Sequence, residues 1–227
     1  MSSPERPRPA VLFFDVNETL LDLSPLETSI RAVLPGPDSP KLWFSTMLHY
    51  SLVMTVAGRK APLSDIGVAA LQMLAEGRGI MLSQQDAQAA VRPITRLPAH
   101  PDVAPALARL RQAGFRMAAL SNSSTTGLRA QLAYAGIARY FDAQFSVEEF
   151  GLYKPHPKVY QGAARQMRVQ AGETMLVAAH GWDIAGAGWA NLRTAFVRRA
   201  GMAPFPLAEP PELVVGDLDE LARRLGA

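Results

Sequence analysis

The chain has 227 residues, 48% of them hydrophobic, a net charge of +3 and no cysteine. This allows one domain, or a core plus a smaller insertion, and excludes disulfides, thiol catalysis and thiolate zinc sites. No arginine–aromatic interleaving suggests nucleic acid, and no apolar run reaches the roughly 18 residues of a membrane helix.

Residues 1–9 are polar and Pro-rich and lack the apolar centre of a signal peptide, so a disordered leader and a cytoplasmic protein are expected. Residues 10–22 read AVLFFDVNETLLD. The apolar run Val11–Phe14 is short and rich in β-branched and aromatic residues, the signature of a buried strand. Asp15 follows it directly, where an open α/β sheet presents groups to its ligand crevice.

From residue 23 the period changes to that of helices, expected at 23–34, 41–56, Leu63–Glu76 and 83–91, with PGPDSP as a break. The second is apolar on most of its surface, including Trp43, Phe44 and Met47, as in a helix buried on more than one side. Nothing between residues 23 and 97 alternates strand with helix, so this stretch reads as an all-helical insertion. After residue 98 the alternation begins. A helix at 102–113 precedes a strand at 115–120, and Ser121-Asn122 opens the next helix. A strand at Ala143–Ser146 leads to Tyr153-Lys154-Pro155 and a helix at 158–167. The strand at 174–179 runs into His180-Gly-Trp-Asp183, and Arg193–Val197 and Leu213–Val215 complete the strands. Such alternation implies a doubly wound parallel sheet.

Asp15, Ser121-Asn122, Lys154 and Asp183 each follow an expected strand, so one crevice can hold all of them. Their chemistry is complementary. A lysine beside a carboxylate keeps it ionised, and a hydroxyl at a helix start seats an anion.

With FDVNETLLD, LSNSS, YKPHPKVY and AAHGWDIAGA in this order, the chain resembles the haloacid dehalogenase superfamily, and within it the L-2-haloacid dehalogenases. The resemblance implies a Rossmann-like α/β core over residues 10–22 and 98–227, with residues 23–97 as a helical cap. Phosphatases of the superfamily carry a second Asp two residues after the nucleophile and an acidic pair that holds Mg²⁺. This chain has Asn17 in the first place, and Ala179 four residues before Asp183. The resemblance therefore implies a metal-independent hydrolase without cofactor, acting on a small 2-haloacid or related carboxylate through an aspartyl ester.

By the same resemblance Asp15 is the nucleophile, held by Thr19. Ser121 and Asn122 seat the substrate carboxylate, and Lys154 stabilises charge. Tyr160 positions Lys154 or the substrate, Asp183 orients Lys154 or the hydrolytic water, and a homodimer forms through the cap helices. Three departures stand out. The dehalogenases follow the Leu-Trp of the long cap helix with a halide-receiving arginine, where this chain has Phe44. Where their fourth motif has Ser and Asn, this chain has Ala178 and His180, the latter a titratable ring beside the water that hydrolyses the ester. Trp182 is expected beside the site and Trp189 in the core, and Arg59 is a candidate for the missing cation. The departures predict slow release of chloride from ordinary 2-chloro acids, improved by Phe44→Arg. The rival readings are a Mg²⁺-dependent small-molecule phosphatase, which Asn17 and Ala179 oppose, and a catalytically weak anion-binding member of the fold, which Phe44 keeps open.

Overall fold

Four consecutive buried residues, Val11–Phe14, form strand β1 at the centre of a six-stranded sheet. The computed structural model describes residues 7–227. Of the expected leader, residues 1–6 lie outside the described residues, whereas Arg8 is held with its guanidinium 3.5 Å over the Phe115 ring.

The other strands are β2 (Met117–Ser121), β3 (Ala143–Ser146), β4 (Thr174–Ala178), β5 (Arg193–Val197) and β6 (Leu213–Val215). Their order is β3-β2-β1-β4-β5-β6, and every pair is parallel. Phe14 lies opposite Ala119 of β2 and Val177 of β4, so β1 is buried on both edges. The chain builds outward from β1 to β3, then returns to start β4 on the other side. This reversal puts the topological switch point between β1 and β4, where open α/β sheets bind ligands.

Helices α1 (Ser24–Val33), α2 (Ser39–Val56), α3 (Leu63–Glu76) and α4 (Gln84–Val91), with a 3-10 turn at Arg92–Thr95, lie between β1 and α5 (Val103–Gln112). The remaining helices are α6 (Thr125–Tyr134), α7 (Pro157–Gln166), α8 (Gly181–Trp189) and α9 (Leu218–Arg224). Ser83, Ser124 and Asp217 cap the N-termini of α4, α6 and α9 with side-chain oxygens, satisfying amides that a helix start otherwise leaves bare. No helix among the described residues is long and apolar enough to cross a membrane.

Helix α2 starts at Ser39, with Pro40 in its first turn. Two local differences from the sequence reading have simple causes. Strand β2 starts at Met117 rather than 115: Gly114 turns left-handed (φ 77°) and Phe115 N–H donates back to Leu110 O, closing α5. Trp189 is 58% exposed rather than in the core, with its ring edge-on to Phe205. Helix α2 does bury Trp43, Met47 and Ser51, and the Trp43 indole N–H donates to Gly67 O at 2.8 Å. A Cβ on Gly67 would meet Met47 Sδ at 3.1 Å and the Trp43 ring at 3.2 Å, so glycine lets α3 approach α2. The same helix leaves Leu42, Leu52, Val53 and Val56 exposed.

Candidate active site

Asp15 leaves β1 with its backbone N–H still bonded to Val177 O at 3.0 Å, so the sheet fixes where its carboxylate starts. Thr19 donates its hydroxyl to Asp15 Oδ2 at 2.7 Å, and accepts Ala179 N–H at 2.9 Å. The turn carrying these residues is pinned from outside. Arg199 donates to Thr19 O while forming a bidentate pair with Asp102, and the His100 ring lies 3.1 Å from Glu18 O.

Lys154 reaches in from the segment between β3 and α7 and is only 1% exposed. Its ammonium donates to Asp15 Oδ1 at 2.8 Å, Asp183 Oδ2 at 2.6 Å and Leu120 O at 3.1 Å. All three of its protons are thus used, which is what a buried ammonium requires. Burial works against its charge, but Asp15 and Asp183 outweigh that and raise its pKa. Burial likewise works against an ionised Asp15, yet Lys154 and His180 hold its pKa below the ordinary carboxylate value. Burial raises that of Asp183, opposed by Lys154. Asp15 is therefore the carboxylate whose anionic form the site favours.

Asp183 sits in the first turn of α8, which approaches α7 very closely. A Cβ on Gly186 would fall 2.3 Å from Pro155 Cβ and 2.9 Å from Tyr160 Oη. That close approach accounts for the small residues of this helix. Tyr160 donates to Asp183 Oδ1 at 2.6 Å. It is completely buried, and its hydroxyl is taken by Asp183, not Lys154. Tyr160 therefore reaches Lys154 through Asp183 and does not bond to it directly.

The His180 ring lies with Nδ1 3.3 Å from Asp15 Oδ2 and Nε2 2.8 Å from Glu18 Oε2. Burial alone lowers its pKa, but the hydrogen bonds and charges of Asp15 and Glu18 prevail and hold it up at about 9. Phe44 stacks on one side of this ring, centroids 5.8 Å apart, and Trp182 is stacked at 5.4 Å. These three rings and Glu18 line a cavity of about 280 Å³ with Leu26, Trp43, Leu48 and Met202, and with Lys41 and Glu27. Arg59 lies elsewhere, with Lys60 and Tyr153 on a separate cavity of about 340 Å³.

Ser121 ends β2, and its Oγ accepts Ser123 N–H at 3.1 Å. Asn122 Oδ1 accepts Lys154 N–H at 3.0 Å. Asn122 Nδ2 and Trp182 Nε1 are buried donors without a partner, and a buried donor of this kind calls for an acceptor. Asn17, in the place of the phosphatases' second acid, is tied down: Gln131 Nε2 donates to its Oδ1 at 2.8 Å, and its Nδ2 reaches Ser123 Oγ at 3.4 Å. No grouping of three or more acidic or histidine side chains among the described residues is arranged to hold a metal ion. The Lys154 ammonium lies between the two carboxylates, so the donor set does not fit the Mg²⁺ of the superfamily's phosphatases.

Residues 9–191 match the family model of the haloacid dehalogenase-like hydrolases. The chain belongs to this family. It is 30% identical to (S)-2-haloacid dehalogenase 1 of Pseudomonas sp. (strain CBS-3), over 93% of this chain and 94% of that protein. It is 26% identical to haloacetate dehalogenase H-2 of Moraxella sp. (strain B), over 92% and 94%. Among solved structures it is similar to the L-2-haloacid dehalogenase from Xanthobacter autotrophicus with chloropropionic acid covalently bound, with a TM-score of 0.89 at 26% identity, covering 96% of this chain and 99% of that one. As a family member the chain is a hydrolase of the α/β fold expected from its sequence.

The residues singled out in the sequence fall into one network, apart from Ser121, whose hydroxyl faces its own turn, and Arg59, which lies on the separate cavity. Two participants carry no assignment from the sequence. Glu18 lies inside the FDVNETLLD motif, and its only signal is an acid in the turn after the nucleophile. Gln131 stands 114 positions from Asn17, and no local pattern points to it.

Proposed function

We propose that this chain is a cytoplasmic, metal-independent hydrolase of the (S)-2-haloacid dehalogenase type, with residues 23–97 as the cap and Asp15 as the nucleophile. The carrying observation is the ion set around Asp15: a carboxylate kept anionic by Lys154, beside an amide at position 17 that cannot titrate. A phosphatase needs an acid there to protonate its leaving oxygen. A halide needs no proton, so the amide is no handicap.

In this reading an oxygen of Asp15 attacks C2 of the substrate, forming a C–O bond as the carbon–halogen bond breaks with its electron pair. The substrate carboxylate sits against the Asn122 amide, whose Nδ2 is a buried donor with no partner among the described residues. Lys154 balances the charge that leaves Asp15. Water then attacks Cγ of the ester and releases a 2-hydroxy acid. Thr19 fixes the carboxylate, and Asp183, steadied by Tyr160, fixes Lys154. Exposed Leu42, Leu52, Val53 and Val56 on α2 support a second copy of the chain docking on the cap.

The test is halide release from a panel of 2-halo acids of both configurations, with chelator and with added Mg²⁺. Turnover is expected to survive chelation and to vanish in Asp15→Asn. A strict Mg²⁺ requirement, or phosphate ester hydrolysis in place of halide release, would overturn the reading.

A further inference from the structure

We infer that Glu18 and His180 form an acid–base dyad that hydrolyses the Asp15 ester, with Glu18 fixing which ring nitrogen of His180 takes the proton from water. This rests on the proposed dehalogenase chemistry and adds a residue and a proton path to it.

The geometry constrains the imidazole on every side. Glu18 holds Nε2 at 2.8 Å, and Nδ1 faces Asp15 Oδ2 at 3.3 Å. Phe44 and Trp182 are stacked against the ring. Glu18 is itself built into place. Its backbone is left-handed at φ 67°, unusual for a residue with a side chain, with its N–H on Leu21 O and its carbonyl against His100. Strain of that kind persists only where the surroundings impose it. Besides Asp15 and Glu18, the charged groups near the ring are Lys154, 5.7 Å from the Trp182 centroid, and Lys41 and Glu27 on the same cavity.

The proton balance follows. In the resting enzyme the ring lies between two carboxylates and is an imidazolium at neutral pH. Alkylation turns Asp15 into a neutral ester and removes one of the two charges that keep the ring protonated. The Nδ1 proton is then released to solvent as the halide departs, so the pair leaves as HX. Glu18 keeps the other proton on Nε2, and the freed lone pair on Nδ1 faces the ester. A water on Nδ1 forms its bond to Cγ and passes its proton to Nδ1. The Cγ–O bond to the alkyl oxygen breaks, and the imidazolium protonates that oxygen to give the 2-hydroxy acid. The new Asp15 carboxylic acid returns its proton to Nδ1, restoring carboxylate and imidazolium. One water is consumed, and one hydroxy acid and one HX are formed.

The timing of the proton gives the test. Mix the full-length enzyme with (S)-2-chloropropionate in weak buffer near neutral pH, and follow halide, an indicator dye and the mass of the denatured protein. In the wild type, proton and halide are expected together, one to one, in the first turnover. In Glu18→Gln, kcat is expected to fall by about 10²-fold, the scale of general acid–base catalysis, with KM little changed and the alkylated protein accumulating. Glu18→Asp should recover part of the loss. In His180→Ala the proton should lag behind the halide and appear only with hydrolysis, which added imidazole should accelerate. Proton release that still tracks halide in His180→Ala, or Glu18→Gln turnover with no accumulated ester, overturns the dyad alone. A wild type that forms no adduct and releases no halide from any 2-halo acid overturns the dehalogenase reading, and the dyad with it.

Discussion

The ring of Phe44 lies 5.8 Å from that of His180 and within 16° of parallel to it. Two of the positions at which the sequence departs from the pattern of the L-2-haloacid dehalogenases are thus in direct contact. The resemblance in sequence implies a halide-receiving arginine at position 44. Here α2 supplies an aromatic face instead, and His180 lies between the carboxylates of Asp15 and Glu18.

Phe44→Arg is therefore more than restoration of a donor. A guanidinium against His180 repels its proton and competes for Glu18, so the His180 pKa should drop from about 9. The sequence alone predicts faster chloride release in this variant. The contact predicts in addition that the acid limb of the pH–rate profile, set by the proton His180 must lose before it acts on the ester, moves to lower pH. The profile of kcat against pH for both proteins checks it, and an unmoved limb would show no electrostatic hold of position 44 on the ring.

Lys154→Met removes the one cation between two buried carboxylates. Breaking a buried pair in this way typically costs about 3–5 kcal/mol. The loss should be greatest at neutral pH, where both acids would have to be ionised, and smaller near pH 4–5 as protonation relieves the repulsion. Melting temperatures of variant and wild type across that range are the measurement, and halide release should be absent throughout.

Tyr160→Phe leaves Asp183 Oδ1 without its 2.6 Å donor. Losing a hydrogen bond to a charged group costs about 1.5–3 kcal/mol, and the looser Asp183 no longer fixes Lys154. We expect kcat to fall by about tenfold or more with KM for the haloacid nearly unchanged, because Tyr160 stands outside the cavity. A rise in KM alone would return Tyr160 to the substrate.

The raised pKa of His180 also couples folding to pH. Its folded value, about 9, lies above the ordinary 6.5, so its contribution is complete below pH 6.5 and is lost as pH rises through 9. Two and a half units correspond to a contribution on the order of 3 kcal/mol. Denaturant unfolding of the wild type should weaken between pH 6.5 and 9, and His180→Ala should flatten that slope.

The parts of the site legible in the sequence share one property. Asp15, Ser121 and Lys154 each lie near the end of an apolar run or in a motif that marks one, and Asp183 follows β4 within a few residues. A parallel sheet brings such positions to one edge whatever the rest of the chain does. Glu18 was hidden because an acid in a turn usually faces solvent, and only the left-handed backbone aims it at His180. That Tyr160 reaches Lys154 through Asp183 was not legible, since spacing along α7 does not say how near α8 comes. Gln131 and Arg199 act across long sequence separations, to which no periodicity corresponds. Trp189 was misplaced because hydrophobicity alone does not tell a core position from an exposed one at the end of a helix.

The Lys154 ammonium joins a carbonyl of β2, the acid following β1 and the acid opening α8 after β4. One side chain thereby gauges the alignment of three strands that meet nowhere else in sequence. If β1 slipped by a residue against either neighbour, a displacement of about 3.3 Å, the ammonium would lose Asp15. In the proposed mechanism the nucleophile is therefore assembled only once the central strands are in register. A partly folded chain carries the same aspartate without the buried ammonium that positions it.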